Sequence, residues 1–186
     1  MTRAFLGLGA NIGNREANLR LALRWLSRRC TVVAVSSLYR SGALVVAGED
    51  AGPDYLNAAC EIESELTPHE LLHVVKEIEY EMGRRGAERW APRIIDIDVL
   101  LCGDAVLASS ELTVPHAGLA ERNFVLVPLA ELAAGVMHPV LKRAIGELAE
   151  DVDLVGLEHL RGPEWAGGSA GAGSRGDDED GPAGAR

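Results

Sequence analysis

Apolar positions along the chain recur with two distinct periods, and each period predicts an element. The short apolar run Ala4 to Ala10, which contains Gly7 and Gly9, predicts a buried strand. Asn11-Ile12-Gly13-Asn14 reads as a turn, with Asn14 placed to cap a helix. Leu19, Ala22, Leu23 and Leu26 then follow the i, i+3, i+4, i+7 spacing of one helical face, so a helix is predicted to about Ser27. The β-branched stretch Thr31 to Tyr39 predicts a second strand, and Tyr55 to Glu65 a third. In Thr67-Pro68-His69-Glu70, Thr67 can cap, Pro68 suits the first helical position and Glu70 completes a capping box. The helix that follows carries the stripe Leu71, Val75, Ile78 and Met82 and stops at Gly83. Ile94 to Leu101 predicts a fourth strand before a turn at Gly103-Asp104, and short helices are expected near Leu129–Ala134 and Val140–Glu150.

The first 101 residues therefore run β-α-β-β-α-β. This order predicts an α+β, ferredoxin-like core in which the two long helices cover one face of an antiparallel sheet. The linker between the second and third strands, with Gly42, Gly48, Gly52 and Pro53, is about fifteen residues, long for a hairpin and of the kind that carries function. From Gly167 onward the chain is Gly-, Ser- and acid-rich without apolar periodicity. One domain is expected over 1–163, followed by a disordered tail over 164–186.

Charge narrows the function. Lys and Arg number 18 against 28 Asp and Glu in 186 residues, a formal net charge of −10. General nucleic-acid and anionic-membrane binding both need a basic footprint, so neither is expected. No apolar stretch approaches the roughly 20 residues of a membrane helix, and the first residues lack the pattern of a secretory signal. Cys30, Cys60 and Cys102 read as buried thiols of a reducing, cytoplasmic compartment rather than a disulfide frame. No apolar stripe demands a partner, so a monomer is expected.

The sharpest chemical signal lies in Pro92 to Leu101. Alternate residues of a strand share a face, so Asp96 and Asp98 point one way with Cα atoms roughly 6.5 Å apart. Two carboxylates so close repel unless a cation sits between them, and Mg²⁺ uses one or two carboxylates beside a phosphorylated ligand. A solvated strand face is the ordinary explanation of a bare Asp-x-Asp. Here Arg84, Arg85, Arg89 and Arg93 fall within ten residues just before it, with Trp90 among them. Arginine forks suit phosphate and an indole stacks on a flat ring, so the segment suits phosphoryl transfer. His116 and Arg122 could form an anion-binding wall, with Phe124 either beside it or in the core. Tyr55 and Asn57 share a strand face, and Asn suits the edge of an amide-like heterocycle, though an ordinary edge-strand pair has the same spacing. Gly7-x-Gly9 with Gly13 is out of register for a dinucleotide fingerprint, there is no P-loop, and His69 and His73 lack the Glu of a zinc helix.

These residues, in this order, resemble the 6-hydroxymethyl-7,8-dihydropterin pyrophosphokinases of folate biosynthesis. The resemblance runs over about residues 3 to 140. It rests on Leu8-Gly9-Ala10-Asn11-Ile12-Gly13-Asn14, Ser36 to Ser41, Asp54 to Ala58, Glu88-Arg89-Trp90-Ala91-Pro92-Arg93-Ile94-Ile95-Asp96-Ile97-Asp98, Leu112 to His116 and Arg122 to Leu129. It implies an ATP:pterin diphosphotransferase with ATP as co-substrate and two Mg²⁺ ions seated by Asp96 and Asp98. Arg84 and Arg93 would be the catalytic arginines, with Arg89 and Trp90 in the same loop. The pterin would lie between Tyr55 and Phe124, hydrogen-bonded by Asn57, with main-chain groups near Gly42 and Leu44 assisting. Leu72, Lys76, Glu79, Val99, Thr113, His116 and Arg122 would line the ATP side. The chain departs from the family in the loop after Ser41, in an arginine segment one residue short, and at Ala117. A non-catalytic nucleotide- or anion-binding module is the alternative, and a dinucleotide-dependent reductase a weaker one.

Overall fold

The computed structural model describes residues 1–42, 52–83 and 93–167. Its elements are β1 (Thr2–Ala10), α1 (Arg15–Leu26), β2 (Thr31–Val35), β3 (Leu38–Ser41), β4 (Tyr55–Ser64), α2 (Pro68–Glu81), β5 (Asp96–Cys102), β6 (Leu107–Ala108), β7 (Thr113–Val114), α3 (Asn123–Ala133), α4 (Ile145–Glu150) and β8 (Leu157–Arg161). The main sheet has the order β5-β1-β4-β3-β8, with β2 also paired to β4. Every pairing in it is antiparallel. The α+β, ferredoxin-like expectation holds.

Local chemistry sets the helix ends. The Asn14 side chain accepts from the Ala17 N–H at 3.1 Å and starts α1. Thr67 and Glu70 form the reciprocal capping box of α2, and Gly83 ends that segment at φ +97°, a conformation glycine adopts without Cβ strain. The apolar faces of α1 and α2 meet Leu6, Leu8, Ala58, Cys60, Ile62, Ile97 and Val99 on one face of the sheet.

Four features differ from the sequence-based expectation. The predicted second strand is broken in two. Ser36 and Ser37 interrupt it because their polar groups bond elsewhere: Ser36 Oγ accepts from Ala59 N at 2.8 Å, and Ser37 N donates to Glu131 at 2.8 Å. The third helix begins at Asn123 rather than near Leu129 and runs through Pro128. The sheet is also covered on its second face, where α3 and α4 pack on Phe5, Leu100 and Leu101. Last, β8 pairs with β3, and a 3-10 turn at Pro163–Ala166 buries Trp165 to 1% exposure. Packing therefore continues past the expected boundary at residue 163; residues 168–186 lie outside the described residues.

Trp165 closes the chain end onto the sheet. Its Nε1–H donates to the Ser36 carbonyl at 2.8 Å, and its own carbonyl accepts from Arg20 Nε at 2.5 Å. Trp165→Phe keeps most of the apolar contact but leaves the Ser36 carbonyl without that donor. We expect a loss of about 1–2 kcal/mol in urea unfolding with m unchanged. A variant as stable as the parent would show that this turn adds nothing to the domain.

His138 is buried, and its Nδ1 accepts from the N–H groups of Val140 (3.3 Å) and Leu141 (3.1 Å). Burial holds this imidazole below its ordinary pKa, which favours its neutral form in the folded chain. An unfolded histidine takes up a proton near pH 6.5. The associated stability is full above that pH and is lost as pH falls below it. Thermal melts from pH 7.5 to 5.5 should show this decline, and His138→Asn should flatten it; an unchanged slope would contradict the assignment.

Candidate active site

Strand register assembles the site. In β1 the even positions Leu6 and Leu8 face the α1–α2 core, which leaves Gly7 and Gly9 on the opposite face. Gly9 pairs with Asp96 of β5 and with Asn57 of β4; Gly7 pairs with Asp98 and Ala59. Asp96, Asp98, Gly7, Gly9, Asn57 and Tyr55 therefore share one sheet face. Gly9 forms a floor without a side chain between the Asp96 carboxylate and the Tyr55–Asn57 pair, while at Gly7 the Leu100 side chain lies 3.4 Å from where a Cβ would stand. A Cβ at Gly9 would lie 3.6 Å from Asn57 Oδ1 and 3.7 Å from the Tyr55 ring, so Asn57 and Tyr55 border this floor directly.

The carboxylate end is charged and compact. Arg93 Nη1 donates to Asp96 Oδ2 at 2.5 Å. His116 Nδ1 accepts from the Gly118 N–H at 3.2 Å, which leaves Nε2 as the nitrogen toward Asp98, 4.0 Å from its Oδ2. Burial, and then repulsion from Asp96, raises the Asp98 carboxyl above the usual carboxylate range, against the opposing fields of His116, Lys76 and Arg93. The pair is thus held together at an electrostatic cost that a divalent cation would offset.

On the outer side of β5, Glu79 of α2 is 2% exposed, its Oε1 accepting from Ile97 N at 2.7 Å and its Oε2 from Lys76 Nζ at 2.9 Å. Its carboxylate is directed at the strand between the two aspartates rather than outward. Val99 likewise turns its side chain into the α1–α2 core. The Ile97 N–H points away from β1, and by the strand's two-residue repeat the Val99 main chain faces the same outer edge. Leu72, on α2, packs against the same core, and Thr113 is exposed on β7, whose hairpin adjoins β5. Arg122 precedes α3 and Phe124 lies in its first turn, half-buried against the second core. Gly42 is exposed at the end of β3. Leu44, Arg84, Arg85, Arg89 and Trp90 lie outside the described residues.

Several supporting residues were not singled out from the sequence. Ser41 Oγ accepts from Asn57 Nδ2 at 2.9 Å, which turns the Asn57 carbonyl oxygen toward the glycine floor. Tyr39, beside Asn57 in the register, donates its hydroxyl to Glu131 at 2.5 Å; burial and then Glu131 push that phenol well above its ordinary pKa. Gly118 leaves room for Arg122, whose Nε would sit 2.7 Å from any Cβ there. No spacing rule reveals the Asn57–Ser41 and Tyr39–Glu131 partners, since each joins separate segments of the chain.

Comparison with known proteins agrees. The family model of 7,8-dihydro-6-hydroxymethylpterin-pyrophosphokinase matches residues 5–134. A 2-amino-4-hydroxy-6-hydroxymethyldihydropteridine pyrophosphokinase of Methylorubrum extorquens is 42% identical over 162 residues, covering 86% of this chain and 99% of that protein. One from Bacillus subtilis is 42% identical over 135 residues, 72% of this chain and 79% of its own. The wild-type HPPK-DHPS structure of Plasmodium falciparum superposes with a TM-score of 0.63 at 16% identity, covering 80% of this chain and 44% of that one, a likeness of fold alone. The fold and the match together define an enzyme of the diphosphotransferase type. More particularly, the chain belongs to the 7,8-dihydro-6-hydroxymethylpterin-pyrophosphokinase family.

Proposed function

We propose that the chain transfers the diphosphoryl group of ATP to the hydroxymethyl oxygen of 6-hydroxymethyl-7,8-dihydropterin. The new bond forms between that oxygen and the β-phosphorus, the bond from the β-phosphorus to the oxygen bridging it to the α-phosphorus breaks, and AMP leaves. The observation that carries this reading is the shared face: paired carboxylates at one end, the Tyr55–Asn57 border at the other, and Gly9 between.

Asp96 and Asp98 offer the hard oxygen donors that Mg²⁺ prefers. Among the described residues no third His, Cys, Asp or Glu completes a metal-holding cluster with them. Two carboxylates with water and phosphate oxygens suit the coordination habit of this ion. When bound there, Mg²⁺ would neutralise charge on the phosphates. We assign two such ions to this pair.

Arg93, with its guanidinium at Asp96, would clamp phosphate beside the carboxylates; Arg84 and Arg89 would do so from the preceding segment. His116 and Arg122 would extend the anion wall. The adenine would lie along the outer edge of β5, near Leu72, Lys76 and Thr113, against the Val99 main chain. The Glu79 carboxylate, bonded to the Ile97 N–H, would hold that strand on the ATP side. The pterin would stack between Tyr55 and Phe124, with Trp90 as a further ring contact. The Asn57 carbonyl oxygen would accept from the ring's amide-like edge, and the main chain at Gly42 and Leu44 would close the pocket.

The test is AMP release from ATP and Mg²⁺, with and without the pterin alcohol. We expect AMP only when the alcohol is present. No release with both substrates would overturn the reading in favour of a nucleotide-binding module, and release that ignores the alcohol would overturn it in favour of ATP hydrolysis.

A further inference from the structure

We propose that Asn11 is a positioning residue for this reaction, holding Arg93 in line with Asp96; the inference rests on the function proposed above. Three observations carry it. Asn11 is 5% exposed, although it lies in a turn that its sequence makes look solvated. Its Oδ1 accepts from the Arg93 backbone N–H at 2.6 Å, while its own N–H donates to the Arg93 carbonyl at 3.1 Å. Its Nδ2 donates toward the Pro53 carbonyl at 3.5 Å.

The geometry is that of a strand extended by a side chain. β1 and β5 pair up to Gly9 and Asp96, and Ile94 and Ile95 then leave the ladder. One residue beyond the end of β1, Asn11 meets the chain again at Arg93. Its backbone supplies the donor of the next rung, and its carboxamide supplies the acceptor that a strand carbonyl would otherwise provide. Both main-chain groups of Arg93 are thereby fixed. Its guanidinium must reach Asp96, three residues on, from that anchored start. The third bond ties the same carboxamide to Pro53, two residues before Tyr55, so one buried side chain joins the approach to the phosphate end and the approach to the heterocycle end. An alanine here would leave the Arg93 N–H without its acceptor and free the arginine to swing off Asp96. Near the reacting atoms a displacement of about 1 Å is enough to matter.

The experiment is a double-mutant cycle with hydrogen exchange on the full chain. We expect Asn11→Ala to lower kcat about tenfold, the effect of one buried hydrogen bond, with Kd for an ATP analogue within about twofold of the parent. In an Arg93→Ala background the same change should cost less than about twofold, because the residue it positions is gone. Equal losses in both backgrounds, or a lowered melting temperature with kcat intact, would overturn the proposal. Asn11→Ser, too short to reach the Arg93 N–H, should follow Asn11→Ala if the alanine variant does not fold. Exchange of the Arg93 amide is read independently of turnover. It should be protected in the parent and about tenfold faster in either variant, and equal rates would sink the inference. A parent chain that exchanges as expected yet releases no AMP would instead sink the function reading alone.

Discussion

Asp98→Asn should cut turnover steeply while leaving the fold at least as stable as before. The carboxyl of Asp98 is held above its ordinary range by burial and by Asp96, so its negative charge is an electrostatic cost to the folded chain. An amide of the same shape removes the repulsion and keeps the packing. It also removes the charge that a divalent cation needs. Charge stabilisation by a metal supplies several kcal/mol of transition-state binding, so the loss should reach about 10³-fold in kcat/KM. Asp96→Asn should behave alike in activity, but it also frees Arg93 from its 2.5 Å partner. Turnover assays paired with thermal melts check both. Normal turnover in either variant would remove that carboxylate from the metal seat, and a large fall in melting temperature would show it to be structural.

Arg93→Ala should slow chemistry far more than it weakens pterin binding. The guanidinium, just before β5, lies at the carboxylate end against Asp96, whereas Tyr55 and Asn57 border the far side of the glycine floor on β4. Charge-assisted donors aimed at a reacting phosphate act mainly in the transition state, so a fall of about 10²-fold or more in kcat is expected. Pterin affinity by fluorescence titration should stay within a factor of a few. A variant with intact kcat and weakened pterin binding would move Arg93 to the heterocycle end.

Much of this was legible in the chain because the decisive relations are short-range. Asp96 and Asp98 share a face by the two-residue repeat of a strand, and Thr67 with Glu70 forms a capping box at fixed spacing. Ferredoxin-like order followed from the alternation of periods. What stayed hidden was decided by contacts between distant segments. The break at Ser36–Ser37 depends on Glu131, 94 residues from Ser37, and on Trp165, whose indole bonds the Ser36 carbonyl 129 residues away. The packed end at Trp165 was obscured by the polar segment that follows it. Glu79 illustrates the same limit within the site: the family resemblance names it among the residues of the ATP side, but its bond to the Ile97 N–H requires the sheet to be assembled first. Asn11, quoted within a turn motif, gains its meaning only when Arg93 is brought beside it.

All of this rests on the two aspartates seating cations for a triphosphate. The most direct measurement is calorimetric titration of a non-hydrolysable ATP analogue into the parent and into the Asp96→Asn/Asp98→Asn chain, each with and without Mg²⁺. Mg²⁺ should tighten binding to the parent by at least about tenfold and leave the double variant unchanged. Equal tightening of both chains by Mg²⁺ would contradict it.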